Sequence, residues 1–289
     1  MIGSRLRPFA AGALFGLLAL GCASSGRIAF PPVVPAPTDI HSPGKFVWVD
    51  LVTGDVAGAE SFYGDLFDWR FSTHDDYVTI SRNGSAIGGI VELEPEEASL
   101  SGSGWVPSLS VPDVDAAADR VRRGGGRVEI EPVDIGTRGR ATLVSDPGGA
   151  TLMLLQTRSG DPADRQPEHG EWLWRELWTR DAKQAVEFYT ALAGYDIDVT
   201  DFRGGTYYVL TRSGQRRAGV VEDPAKQVDP LWLPYVRVAN ADSIVSRAQE
   251  LGARLVARGE DAAILVDPNG AAFGVQRWDF DERADGQRP

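Results

Sequence analysis

The chain writes one passage twice. WVDLVTGDVAGAESFYGDLFDW, beginning at Trp48, returns as WRELWTRDAKQAVEFYTALAGY, beginning at Trp174. Trp48, Asp50, Leu51, Thr53, Asp55, Phe62 and Tyr63 recur as Trp174, Glu176, Leu177, Thr179, Asp181, Phe188 and Tyr189 at a constant offset of 126 residues. The later parts match too: WVPSLSVPDVDAAADRVRRGG against WLPYVRVANADSIVSRAQELG, and LVSDPGGATLMLLQ against LVDPNGAAFGVQ. A gap of about six residues falls where the first copy has DIGTRGRA, which predicts a longer hairpin loop there. Whatever the first copy folds into, the second must fold into again.

Each copy divides into two smaller units. An alternating strand such as FVWVDLV leads to a helix-capping residue, namely Asp55, Asp113, Asp181 or Asn240. Apolar spacing then marks a helix, as in Ala59, Phe62, Tyr63 and Leu66. Strands follow, with a hairpin predicted around Asn83-Gly84. The unit is βαβββ, and four of them make an α+β protein of two tandem domains. At 289 residues each domain is long enough to bury its own core.

The ends read differently. MIGSRLR, an apolar run too short to cross a bilayer, and Gly21-Cys22 together resemble a bacterial lipoprotein signal. That resemblance implies a signal over residues 1–22, lipidation at Cys22, and a protein anchored in the cell envelope facing the periplasm or exterior. Cys22 is the single cysteine, so no intrachain disulfide is available. Residues 23–43, with Pro31, Pro32, Pro35, Pro37 and Pro43, read as a proline-rich tether. At about 3.1 Å per residue it reaches roughly 60 Å. The boundaries that follow are a first domain over 44–157, a linker over 158–170, a second domain over 171–278 and a flexible tail over 279–289. A net charge of −12 excludes nucleic acid as a partner, since its phosphates are repelled.

The strand-D…A..FY..L segments, VPDVDAAADRV with VANADSIVSRA, and DPGGATLMLLQ with DPNGAAFGVQ resemble the vicinal oxygen chelate superfamily of glyoxalases, bleomycin-resistance proteins and extradiol dioxygenases. The resemblance implies sheets curled into cups, with metal ligands projecting inward. Carried over residue by residue, those ligand positions fall on Trp48, Val106 and Met153 in the first copy and on Trp174, Leu233 and Gly274 in the second. None is a donor for a divalent ion. Glu92 and Glu222 are the surviving ligand candidates. No metal or other cofactor is therefore expected, and no catalytic residue is assigned.

Strand alternation places Trp48, Asp50 and Val52 on the cup face and Val47, Val49 and Leu51 on the helix face. The same parity sends Trp172, Trp174, Glu176 and Trp178 into the second cup. The candidate binding residues are Trp48, Asp50, Glu92 and Met153, with Trp172, Trp174, Glu176, Trp178 and Glu222. Indoles around a carboxylate suit a small aromatic or amphipathic molecule with a cationic or hydrogen-bond-donating group. Equally, the indoles fill the cup and the carboxylates pair with an arginine such as Arg140 or Arg216. The expected function is metal-independent small-molecule binding at the envelope. Two alternatives stand beside it: a glyoxalase-like lyase or dioxygenase using Glu92 and Glu222, and a protein-interaction module.

Overall fold

The computed structural model describes residues 30–94, 98, 102–202, 205–222 and 229–280. The expected signal and Cys22 lie outside the described residues. Four βαβββ modules follow one another, and the predicted caps are in place. The first contains β1 (Phe46–Thr53), α1 (Val56–Phe67), β2 (Arg70–His74), β3 (Tyr77–Arg82) and β4 (Ser85–Glu92). The second contains β5 (Gly104–Ser110), α2 (Val114–Arg123), β6 (Arg127–Asp134), β7 (Gly139–Ser145) and β8 (Thr151–Thr157). The third runs through β9 (Trp172–Thr179), α3 (Ala182–Ala193), β10 (Asp196–Phe202), β11 (Gly205–Arg212) and β12 (Gln215–Glu222). The fourth runs through β13 (Leu231–Val238), α4 (Ala241–Glu250), β14 (Arg254–Arg258), β15 (Ala262–Val266) and β16 (Ala272–Arg277). Asp55, Asp113, Asp181 and Asn240 each accept a hydrogen bond from the backbone N–H three residues on, at 2.8–2.9 Å. Asn83 and Gly84 both take positive φ, 48° and 79°, as a tight hairpin requires.

Each pair of modules shares one eight-stranded sheet, ordered β2-β3-β4-β1-β5-β8-β7-β6 and β10-β11-β12-β9-β13-β16-β15-β14. The two modules of a sheet meet at its centre, where β1 runs antiparallel to β5 and β9 to β13. Each sheet thus has one concave face lined from both modules.

The helix-side cores do not stay within a domain. One gathers Leu51, Phe62, Tyr63 and Ile90 of the first module with Val236, Val245, Leu265 and Phe273 of the fourth. The other gathers Leu109, Val121 and Leu152 of the second with Leu177, Tyr189 and Leu210 of the third. The expectation that each domain buries its own core therefore holds for the cups only; the helices pack crosswise, α1 with α4 and α2 with α3.

Two matched clasps lock that arrangement. The Tyr63 hydroxyl donates to Asp267 across the boundary at 3.0 Å and accepts from Trp105 Nε1 at 3.1 Å. Tyr189 does the same with Asp146 at 3.1 Å and Trp232 at 2.9 Å. This explains why the tyrosine of each FY pair and the aspartate of each DP turn recur in both copies. Burial raises the pKa of Asp146 and Asp267 above the carboxylate norm, despite the backbone N–H groups that oppose it.

The proline-rich segment is not a free spacer along its whole length. From Phe30 onward it packs on the first domain, because Phe30 and Val33 supply apolar side chains that the cup buries, each to 4% exposure. Thr38 N donates to Ser159 O at 2.9 Å and Asp161 N to Ile40 O at 2.7 Å, tying it to the linker. At the other end, Trp278 is buried and Arg237 stacks on Phe280 at 4.8 Å, so the tail leaves the fold later than residue 279.

Candidate functional site: two cups that have diverged

Cup 1 is centred on Asp50. Its carboxylate accepts from Tyr77 Oη at 2.5 Å and Trp48 Nε1 at 3.0 Å, and Arg138 Nη1 lies 3.1 Å from Oδ2. Arg138 Nη2 also donates to Tyr77 Oη at 2.7 Å. The guanidinium sits 4.8–5.0 Å from the ring centroids of Phe30, Trp48 and Tyr77, a box that holds a planar cation. Burial alone would depress the pKa of Arg138, but Tyr77 and Asp50 outweigh it and raise the value. Burial raises that of Tyr77, keeping its proton on the oxygen. The arginine comes from the turn between β6 and β7, not from Arg140, which pairs with Asp115 at 2.8 Å on the surface.

Cup 2 repeats the tryptophan, tyrosine and carboxylate beside a shorter hairpin; the extra residues of the first copy lengthen strands β6 and β7 more than the loop that was expected to hold them. Glu176 accepts from Tyr207 Oη at 2.8 Å, Tyr235 Oη at 3.0 Å and Trp178 Nε1 at 2.8 Å. Trp174 Nε1 donates to Tyr207 Oη at 2.9 Å, as Trp48 does to Tyr77. Two glycines make room for the tyrosines: a Cβ on Gly89 or Gly219 would lie 1.7 or 1.8 Å from Oη of Tyr77 or Tyr207. Gly274 likewise leaves space for the Tyr235 ring, whereas its partner position Met153 faces the smaller Ser108.

Trp48, Asp50, Met153, Trp174, Glu176 and Trp178 stand in the cups as expected. Trp172 does not. The pairing slips by one residue at Val47 and again at Leu173, and each bulge reverses the parity before it. Val47 and Leu173 therefore join the cups, while Phe46 and Trp172 turn outward against Trp232 and Trp105, at 4.8 and 4.9 Å. Trp172 also donates to Ile87 O at 2.9 Å and carries the buried guanidinium of Arg175 on its face at 5.0 Å. Glu92 and Glu222 are not in the cups either. Val91 and Val221 take the inward places on β4 and β12, so the two glutamates point to the exposed side. The alternative of a metalloenzyme site built on them loses its ligands.

The donors present do not fit a divalent metal. Cup 1 offers one carboxylate with a guanidinium already against it, and cup 2 one carboxylate surrounded by hydrogen-bond donors. Among the described residues no group of three or more His, Cys, Asp or Glu is placed to hold an ion.

The cups differ at the rim and not at the centre, where Asp50 and Glu176 are both buried. In cup 1 Phe30, Val33, Trp48, Tyr77, Val106 and Met153 are buried, Phe30 closing over the arginine, with Ala98 and Val133 partly exposed beside them. In cup 2 Trp174, Tyr207, Leu233 and Tyr235 are buried, and Leu173, Trp178, Val221, Leu231, Val256 and Ala272 remain partly exposed.

Comparison with known proteins follows the same lines. The family profile described as glyoxalase/bleomycin resistance protein/dioxygenase superfamily matches residues 45–154, and that of a glyoxalase-like domain matches residues 176–276. A protein named putative glyoxylase CFP32, from Mycobacterium tuberculosis, is 32% identical over 241 residues, which is 79% of this chain and 92% of that one. The anthracycline biosynthesis protein DnrV of Streptomyces peucetius is 29% identical over 256 residues, covering 81% and 93%. Among solved structures, the Mn(II)-bound glyoxalase from Novosphingobium aromaticivorans superposes with a TM-score of 0.55 at 16% identity, over 83% of this chain and 85% of that one. The 2,2',3-trihydroxybiphenyl 1,2-dioxygenase of Sphingomonas wittichii gives 0.58 at 12% identity, over 83% and 94%.

Proposed function

The chain belongs to the glyoxalase/bleomycin resistance protein/dioxygenase superfamily, and from that premise we propose that it binds a small aromatic molecule in cup 2 without a metal. One observation carries this reading: a buried, hydrogen-bonded carboxylate, Glu176, lies beneath a partly exposed wall of Trp178, Val221, Leu231 and Val256. Apolar walls with one oriented polar group are what small-molecule sites consist of. The carboxylate selects a cationic or donor group, and the indole stacks on a ring. A relative named for anthracycline biosynthesis agrees with a polycyclic aromatic ligand.

Tryptamine is a suitable first probe. Isothermal titration calorimetry gives a saturable isotherm that is indifferent to chelator. Trp178→Ala weakens binding at least ~10-fold, about 1.4 kcal/mol, and Glu176→Gln removes the preference for tryptamine over neutral indole. Absence of binding heat with tryptamine, tryptophol and larger polycyclic amines alike sinks the proposal.

The site works at the cell envelope in this reading, held by lipid on Cys22. Cys22→Ala shifts the protein from the membrane fraction to the soluble one. An unchanged distribution removes the anchor.

A further inference from the structure

Cup 1 holds a piece of its own chain in the way a site holds a ligand. The Phe30 ring packs edge-on to Tyr77 at 5.4 Å and lies 5.0 Å from the Arg138 guanidinium. The backbone is read as well: Thr137 Oγ1 donates to Phe30 O at 2.8 Å and Arg138 Nε to Pro31 O at 3.0 Å. An aromatic ring is thus recognised by stacking, and the two carbonyl oxygens beside it by directed donors. Both donors come from the turn of the β6–β7 hairpin, whose strands are longer than those of its counterpart β14–β15. In the same cup the Ser108 hydroxyl is fully buried and has no hydrogen-bond partner among the described residues.

We propose that cup 1 is a second ligand site, taking an aromatic ring that carries carbonyl oxygens, and that Phe30 and Pro31 are its tethered competitor. The segment is built to let go. Four of its residues between Phe30 and Pro37 are prolines, which lack an N–H and cannot join a sheet ladder. Before Thr38 the described residues of the segment are held only through their carbonyl oxygens and the Phe30 and Val33 side chains, Val34 O accepting from Ser159 Oγ at 3.3 Å. Its own N–H groups engage from Thr38, which reaches Ser159 O at 2.9 Å, and at Ser42, which reaches Asp161 Oδ2 at 2.6 Å. Release of Phe30 therefore swings a short arm about Thr38. While the arm is seated, its effective concentration is on the order of millimolar, and any free ligand competes against it. The cup-2 reading stands or falls separately.

The probe is the arm itself in trans, the acetylated and amidated hexapeptide AFPPVV that spans residues 29–34. Full-length Phe30→Ser protein, shown folded by its thermal transition, binds the peptide saturably, while the native chain binds it at least ~10-fold more weakly. The peptide with alanine in place of phenylalanine does not bind. Adding Thr137→Val to Phe30→Ser weakens the peptide, and adding Trp178→Ala in cup 2 leaves the isotherm unchanged. No binding by folded Phe30→Ser protein overturns the proposal. Equal binding of the alanine peptide, or loss of binding on Trp178→Ala, does so too.

Discussion

Replacing Asp50 with alanine lowers the stability of the folded chain by about 3–5 kcal/mol, the range found when one partner of a buried ion pair is removed. Arg138 is the reason. Its side chain is 0% exposed and Asp50 is the one carboxylate against it among the described residues, so the substitution leaves a full charge in an apolar box. Tyr77 cannot take over, because burial holds its hydroxyl in the protonated form. Arg138→Ala is the milder change, since Asp50 keeps the hydrogen bonds from Tyr77 and Trp48. Exchanging both residues for apolar ones of similar size, Asp50→Leu with Arg138→Met, recovers most of the loss, as the pair's attraction mainly offsets its own desolvation. Urea unfolding followed by tryptophan fluorescence measures all four proteins. An Asp50→Ala midpoint equal to that of the native chain would remove the charge argument.

The second large effect lies at the domain boundary. Tyr63→Phe leaves the buried Asp267 carboxylate and Trp105 N–H each short of one partner, and costs about 1–3 kcal/mol. Tyr189→Phe does the same to Asp146 and Trp232, and the two losses add because the clasps share no residue. Both aspartates titrate above the usual carboxylate range in the folded chain, so the native state holds their protons more tightly than the unfolded state does. Their contribution is complete below the unfolded aspartate value of about 3.9 and is lost as pH rises through the folded value. The native chain's advantage over Asp267→Asn is accordingly larger at pH 4 than at pH 7. A smaller advantage at pH 4 would mean that the backbone N–H groups around Asp267, and not its burial, govern its proton.

Much of this was legible in the residues. The repeat, the four capping side chains and the Asn83-Gly84 turn carry the βαβββ modules, because each is a local signal that needs no knowledge of the rest. Trp48, Asp50, Trp174 and Glu176 follow from strand alternation. Trp172 escapes it for a physical reason: alternation has no memory across a bulge, and one extra residue at Leu173 reverses everything before it. Glu92 was misplaced by a single position on β4, where Val91 and not its neighbour faces inward. Tyr77 and Tyr207 were missed although both stand near the start of the third strand of their module, a recurrence the repeat contained. Arg138 left a fainter trace, as an arginine inside the stretch where the two copies differ in length. Phe30 was hidden by its prolines, whose stiffness suggested a spacer and not a seal. The crosswise cores were out of reach, since a repeat states what each copy is and not which surfaces the copies turn toward one another.

That crosswise packing bears on how the molecule comes into being. When residues 46–157 have left the ribosome, α1 and α2 have formed-to-be apolar faces with no cover, because their partners α4 and α3 are still unmade. The nascent half stays sticky until the far end of the chain arrives. Until both halves are present, the helix faces of the first half lack their native cover.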